Sequence, residues 1–282
     1  MHILEAHDLF QLQLLANGRS INTQQQYARH VRLFETWLAA TGRSNEIERV
    51  DHVAVAEFLC SPVAREKRGG GPRKGTSANG LRSSLRCFFS WAHAAGYASR
   101  NAAGLVRRAR CSPVLGRVLS PDDVRRLEHV LATAEGPEAE RDRVMFGILL
   151  GCGLRVGSLA GVCAEDVSGG EILVRTAKGD APTRVFVPRA LRPLLDRYVA
   201  GRSGPLFPLT TRHIARRLRH WCERARVQPA SPHALRRTFG TRLYAACRDP
   251  LVVQRGLGHR SLASTLAYVG GVEERLREVV EA

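Results

Sequence analysis

The stretch RGLGHRSLASTLAYVGG, Arg255 to Gly271, decides how the last part of this chain has to fold. It sets a glycine-bracketed histidine, His259, nine residues ahead of Tyr268, in a chain that has five tyrosines. On one unbroken helix nine steps turn the axis through roughly 900° and climb about 13 Å, so the two side chains would point in opposite directions. Either they act separately or the chain bends between them, and a bend near Ser264–Thr265 would let both meet one ligand. Tyr244, the nearby alternative, lies in TRLYAAC, where apolar neighbours suit packing.

Upstream, SPHALRRTFGTRL (Ser231 to Leu243) opens a helix with Ser231 and Pro232, and places His233 and Arg236, three apart, on the same face of its first turn. Main-chain amides at a helix start already favour an anion. A phosphate suits this turn; a surface His–Arg pair is the other reading. Further upstream, LLGCGLRVGSL (Leu149 to Leu159) sends Arg155 out of the apolar segment Val144–Leu150. An unpaired buried cation is costly, so Arg155 either faces a ligand or pairs with Glu165 or Asp166. Between these motifs, EILVRTAKGDAPTRVFVP alternates over Ile172–Arg175 and Arg184–Val187 around a turn holding Gly179, Asp180 and Pro182. That spacing predicts a β-hairpin with Lys178 in its turn, either as a solvated charge or as part of the chemistry.

The first third of the chain reads as helical. Ser20 or Asn22 can cap TQQQYARHVRLFETWLAATG, in which Tyr27, Val31, Phe34 and Leu38 recur at helical spacing until Gly42. A short apolar stretch ends at Pro62, and the basic glycine-rich loop REKRGGGPRKGTS follows. Then Leu81, Leu85, Phe88, Phe89 and Ala92 form one stripe, completing a four-helix domain over residues 1–99. Arg29, Arg32, Arg82 and Arg86 lie on the other faces, set either against phosphates or simply in solvent. Residues 100–118 read as a basic linker. A second domain over 119–282 begins at LSPDDVRRL, with Ser120 as cap, Pro121 at the first helical position and Asp123 completing a capping box. The expected fold is therefore mainly α with a small β-hairpin, in two domains.

The bulk numbers narrow the function. With 282 residues and 44% hydrophobic content, the chain can bury two cores. It has no run of eighteen apolar residues and no signal-peptide pattern, which predicts a soluble, cytoplasmic protein with no membrane partner. Seven scattered cysteines without a C-x-x-C pair argue for reduced thiols and against a disulfide frame or a zinc site. The net charge is +17, split as +9 over residues 1–119 and +8 over 120–282, so both domains should touch a polyanion. Arginine supplies 40 of the 43 cations, which makes the persistence of Lys178 notable.

Taken together, Arg155 after Gly-Leu, Lys178 in a hairpin turn, His233-Ala-Leu-Arg236, Leu257-Gly258-His259 and Tyr268 resemble the signature of the tyrosine recombinases, the integrase and Xer group, over most of residues 120–280. The helical first domain resembles the core DNA-binding domain of that family in layout. The resemblance implies that Tyr268 attacks a DNA phosphodiester to leave a 3′-phosphotyrosine and a free 5′-hydroxyl, without ATP, metal or other cofactor. Arg155 and Arg236 would hold the non-bridging oxygens and His259 would donate to the phosphate. His233 would serve proton transfer at the nucleophile, and Lys178 would protonate the leaving 5′-oxygen.

It also implies double-stranded DNA carrying specific sites as the partner. The expected assembly is a tetramer of this chain, or a heterotetramer with a related recombinase, associated with the nucleoid and working through a Holliday junction. The tail VGGVEERLREVVEA, with Val272, Leu276, Val279 and Val280 on one side, would dock on a neighbour. The chain opens on its helical domain, which argues against an additional arm-binding module. One position departs from the family pattern: Ser158 stands where an acidic residue commonly follows the first arginine. A type IB topoisomerase-like enzyme and a catalytically weakened DNA-binding relative are the competing expectations.

Overall fold

The computed structural model describes residues 1–67, 69–111, 116–175, 182–259, 261–262, 265 and 280–281. They fall into two compact units, Met1–Pro113 and Val114–Ala282.

The first unit is helical: α1 (Ile3–Ala16), α2 (Ile21–Ala40), α3 (His52–Cys60), the single turn α4 (Pro62–Arg65) and α5 (Gly75–Ala94). His2 starts α1 with a reciprocal cap, its Nδ1 accepting from Leu4 N at 3.2 Å while Glu5 accepts from His2 N at 3.1 Å. Ser20 flanks α2, but its hydroxyl pairs with Thr23 Oγ1 at 2.9 Å and caps no main-chain amide. The expected stripes face inward: Val31, Phe34 and Leu38 on α2 and Leu81, Leu85, Phe88, Phe89 and Ala92 on α5 are all buried. Phenylalanines lock the helices edge to face, Phe34 with Phe58 at 5.0 Å and Phe10 with Phe88 at 5.5 Å between ring centroids. Each such pair adds about 0.5–1.5 kcal/mol beyond its buried area.

Packing continues past α5. Ala102 and Ala103 are buried in this core. Asn79, itself buried, donates from Nδ2 to Ala109 O at 2.8 Å and accepts from Ala109 N at 2.9 Å. A side-chain amide that meets both main-chain groups of one residue imitates a strand partner, so this stretch of basic chain is pinned to α5.

The second unit runs α6 (Pro121–Thr133), α7 (Pro137–Cys152), α8 (Val156–Ala160), β1 (Val167–Ser168), β2 (Glu171–Val174), β3 (Thr183–Phe186), α9 (Arg192–Val199), α10 (Thr211–Arg224), α11 (Pro232–Cys247) and α12 (Pro250–Leu257). Ser120 caps α6 by accepting from Asp123 N at 3.1 Å. The reciprocal half of the expected box is replaced: the Asp123 carboxylate accepts from Arg117 at 3.2 Å and Arg126 at 2.6 Å. Two cations on one acid outcompete a single amide.

The predicted hairpin is present as an antiparallel pair with Ile172 opposite Val185 and Leu173 opposite Arg184. A third strand, β1, pairs Val167 with Ile172 on the other edge. Two residues are too few to leave an alternating signature in sequence. Ile172 and Val174 bury one face of β2 while Glu171 and Leu173 turn outward.

Nearly every residue of α7 from Val144 to Leu150 is buried, which makes it the central helix. The wholly buried Asp142 ties α10 to it, accepting from Arg217 Nε at 2.6 Å, Trp221 Nε1 at 2.8 Å and Arg141 Nη2 at 2.9 Å. Removing the partners of a buried carboxylate costs about 3–5 kcal/mol, so this network fixes α10 against α7. Helix α11 packs along the other side of α7. Its Thr238 accepts from Leu119 N at 3.0 Å, which ties the start of the unit to the same helix.

Candidate active site

Helix α7 ends at Cys152 because Gly153 takes a left-handed conformation, φ 64°. The chain then turns outward through Leu154 to Arg155, which precedes the one-turn helix α8. Helix α12 ends in the same manner at Gly258, φ 57°. Both helix ends therefore present carbonyls with no intrahelical donor, at the negative pole of the helix dipole.

The two arginines occupy those ends. Arg236, on the first turns of α11 and only 3% exposed, donates from Nη1 to Gly153 O and from Nη2 to Leu257 O, each at 2.5 Å. Arg155 is exposed and donates from Nη2 to Gly258 O at 3.2 Å. The alternative partners expected for Arg155 are taken. Glu165 accepts from Gly204 N at 2.8 Å, and Asp166 accepts from Arg175 Nε at 2.8 Å and from Cys163 N at 3.0 Å. Ser158 is half-buried in α8, and the bond to Gly258 gives Arg155 a neutral anchor where the family pattern would offer an acid. Neutral carbonyls orient a guanidinium without cancelling its charge.

His259 follows directly on the capping glycine. Its main chain is joined to α12 from both sides, His259 N donating to Gln254 O at 3.0 Å and Gln254 Nε2 donating to His259 O at 3.1 Å. Burial, followed by the charges of Arg236, Arg155 and His233, pushes its imidazole down to about 4, so the ring is neutral at pH 7. Helix α12 stops before His259, because Gly258 enters the left-handed region that glycine adopts without strain; the bend expected beyond it, near Ser264–Thr265, falls largely outside the described residues.

His233 is exposed on the first turn of α11, whose cap Ser231 accepts from Ala234 N at 3.2 Å. Partial desolvation and then Arg237, Arg236 and Arg155 hold its pKa below the ordinary histidine value. Each of Arg155 and Arg236 thus acts on both histidines, and four of the six expected side chains share one electrostatic neighbourhood. Lys178 and Tyr268 lie outside the described residues, as does the tail helix apart from Val280 and Glu281.

Sequence reasoning missed the anchors. The carbonyls of Gly153, Leu257 and Gly258 carry no side-chain signal beyond the glycines themselves. Thr265, wholly buried, meets His259 Nδ1 through its Oγ1 at 3.0 Å, a contact the sequence did not mark beyond placing a bend near it. Among the described residues no group of three or more His, Cys, Asp or Glu side chains gathers as a metal would require. No helix among them is long and apolar enough to cross a membrane.

In the first unit, Arg29, Arg32 and Arg86 are exposed and Arg82 is half-buried. None of the four is ion-paired to a carboxylate among the described residues. They lie on two helices, α2 and α5, that pack together.

Comparison with known proteins shows the family. Residues 117–274 match the phage integrase family, and residues 8–96 match the phage integrase N-terminal SAM-like domain. The chain is 31% identical to tyrosine recombinase XerC of Rhodospirillum centenum, over 94% of this chain and 82% of that protein. It is 30% identical to tyrosine recombinase XerD of Pseudomonas aeruginosa, over 94% of this chain and 92% of that protein. Among solved structures, it shares the fold of the XerH site-specific recombinase bound to palindromic difH substrate, with a TM-score of 0.74, 20% identity and coverage of 94% and 81% of the two chains. A lambda integrase tetramer bound to a Holliday junction has the same fold, with a TM-score of 0.70, 19% identity and coverage of 93% and 78%. A family match over more than half the chain, joined to relatives of this identity and coverage, places the chain in the phage integrase family, among the tyrosine recombinases.

Proposed function

We propose that this chain is a site-specific DNA recombinase whose active site is built from Arg155, Lys178, His233, Arg236, His259 and Tyr268. The single observation that carries the assignment is the pair of guanidinium groups seated on the open carbonyl ends of α7 and α12, with two neutral histidines in the same field. Such an arrangement is a ready receptor for one phosphodiester. Its charges are aimed before substrate arrives, so they need no reorganisation as negative charge builds on phosphorus.

In the cleavage step the Tyr268 oxygen forms a bond to phosphorus and the bond from phosphorus to the 5′-oxygen breaks. The phenolic proton passes to His233, which is neutral at pH 7 because of its depressed pKa and so able to accept it. The leaving 5′-oxygen takes a proton from Lys178. Arg155 and Arg236 carry the charge of the two non-bridging oxygens, and neutral His259 donates a further hydrogen bond. Rejoining is the same sequence reversed with a different 5′-hydroxyl, so the phosphotyrosine conserves the bond energy and no nucleotide is consumed.

Residues 1–99 would grip the DNA through Arg29, Arg32, Arg82 and Arg86, and residues 119–282 would supply the chemistry, with the basic stretch 100–118 between them in sequence. Work on two duplexes calls for four active sites. We assign these to four copies of this chain, or to pairs with a related recombinase, acting on DNA in the cytoplasm. The names and assemblies of the relatives support this reading.

The test is a library of nicked suicide duplexes, which trap the covalent product because the short cleaved strand diffuses away. The wild-type chain should form an adduct resistant to denaturation and carried on Tyr268, and sequencing the trapped DNA would give the site. An undiminished adduct in Tyr268→Phe would remove the nucleophile assignment.

A further inference from the structure

Among the described residues after α12, Thr265 is the polar one that the fold hides completely. It is 0% exposed, whereas Ser261 and Leu262 beside it are exposed. A hydroxyl buried without a partner would be costly. The partner here is Nδ1 of His259, six residues back and 3.0 Å away. The Thr265 main chain is fixed as well, its N donating to Leu262 O at 2.7 Å. His259 is thus held through its main chain by Gln254 and through its ring by Thr265.

We propose that Thr265 is a positioning residue of this site, its hydroxyl donating to Nδ1 of His259 and so fixing the tautomer that carries the ring proton on Nε2. The assignment deepens the recombinase reading above and rests on it. A neutral imidazole has one N–H, and the bond at one nitrogen decides where the proton sits on the other. Threonine can donate or accept, so the surroundings choose. A phosphate oxygen seated between Arg155 and Arg236 would repel a lone pair on Nε2 and attract a proton there, which requires Nδ1 to accept from Thr265. The low pKa of His259 removes the third possibility, a ring protonated on both nitrogens. In the sequence Thr265 also stands three residues before Tyr268.

The test pairs Thr265→Val, which keeps the shape and loses the hydroxyl, with Thr265→Ser, which keeps the hydroxyl. On a suicide duplex recovered from the library and used at saturating concentration, Thr265→Val should cleave roughly 10- to 100-fold more slowly, and Thr265→Ser should stay within about threefold of wild type. DNA affinity should be unchanged in both. Equal cleavage by wild type and Thr265→Val would overturn the proposal, as would equal losses in the two variants, which would mark a packing role.

A second readout does not depend on the variants folding. In the full wild-type chain labelled with ¹⁵N-histidine at pH 7, and assigned against His259→Gln, Nε2 should resonate as the protonated nitrogen and Nδ1 as the bare one. The reverse pattern would overturn the proposal. Absence of any adduct in wild type would instead remove the recombinase reading.

Discussion

On α2 and α5 of the first unit, Arg29, Arg32 and Arg86 extend into solvent, while in the second unit Arg236 is almost wholly buried and spends two donors on the ends of two helices. Both sets are arginine and both suit phosphate, yet their physical states differ. An exposed guanidinium is screened by salt and must give up side-chain freedom on binding, so each one adds a little affinity and can be replaced by a neighbour. A guanidinium already fixed by neutral carbonyls has met that entropic cost during folding. It can act on a transition state as well as on a ground state. Net charge alone cannot tell the two apart.

The comparison breaks first at the nucleophile. Tyr268→Phe should abolish the covalent adduct while DNA binding persists; a gel-shift assay beside denaturing electrophoresis reads both quantities. Next, Arg155→Ala or Arg236→Ala should slow cleavage on the order of 10²–10³-fold, the loss expected for one transition-state donor. The two should differ in stability. Arg236→Ala strands the carbonyls of Gly153 and Leu257, at about 1–3 kcal/mol for a buried group left unsatisfied, and should lower the thermal midpoint, whereas exposed Arg155→Ala should leave it in place.

Each unit also holds a histidine whose pKa lies at about 4: His30 in the first, through burial and then Arg29 and Arg73, and His259 in the second. Both are neutral in the folded chain below the ordinary 6.5, so between 6.5 and 4 the unfolded chain binds protons that the folded one does not. Their stabilising contribution is complete above pH 6.5 and declines as pH falls toward 4. Urea midpoints across that range should fall with acid, and His30→Gln should flatten part of the slope. A slope unchanged in that variant would mean that His30 does not titrate on unfolding.

The smallest effect belongs to the exposed arginines. Arg29→Ala or Arg86→Ala should leave cleavage at saturating DNA unaltered and reduce the slope of log affinity against log salt by about one. A loss of cleavage rate at saturation would place that arginine with the fixed class.

Much of this was legible in the residues, for reasons that differ by region. The stripes on α2 and α5 were readable because a helix that buries one face must repeat its apolar residues at that spacing, and Phe34 and Phe88 obey it. The hairpin was readable from alternation, while β1, at two residues, had no room for a period. The strongly charged candidates of the site stood out for two reasons: Arg155 because a cation beside an apolar run demands a partner, and Arg236 because it shares the first turn of a helix with His233, where main-chain amides favour an anion. Their actual partners were invisible, since a main-chain carbonyl is common to every residue and only the fold selects which one is left open. Thr265 was illegible for a related reason: a threonine is hydroxyl or hydrocarbon according to its surroundings, and its sequence does not say which. A break between His259 and Tyr268 was readable as a necessity, and the residues that would hold it lie largely outside the described ones, whereas the end of α12 just before His259 was not read from the sequence.

Gly153 combines three demands that no other residue meets together. It turns the chain with a positive φ, its carbonyl receives Arg236, and a methyl group in place of its α-hydrogen would strike the ring of Phe239. Tolerance to change at this site is therefore inverted with respect to chemical reactivity. In a survey of every single replacement, this atom-poor position should admit fewer survivors than Arg155 two steps along, where lysine preserves at least the charge.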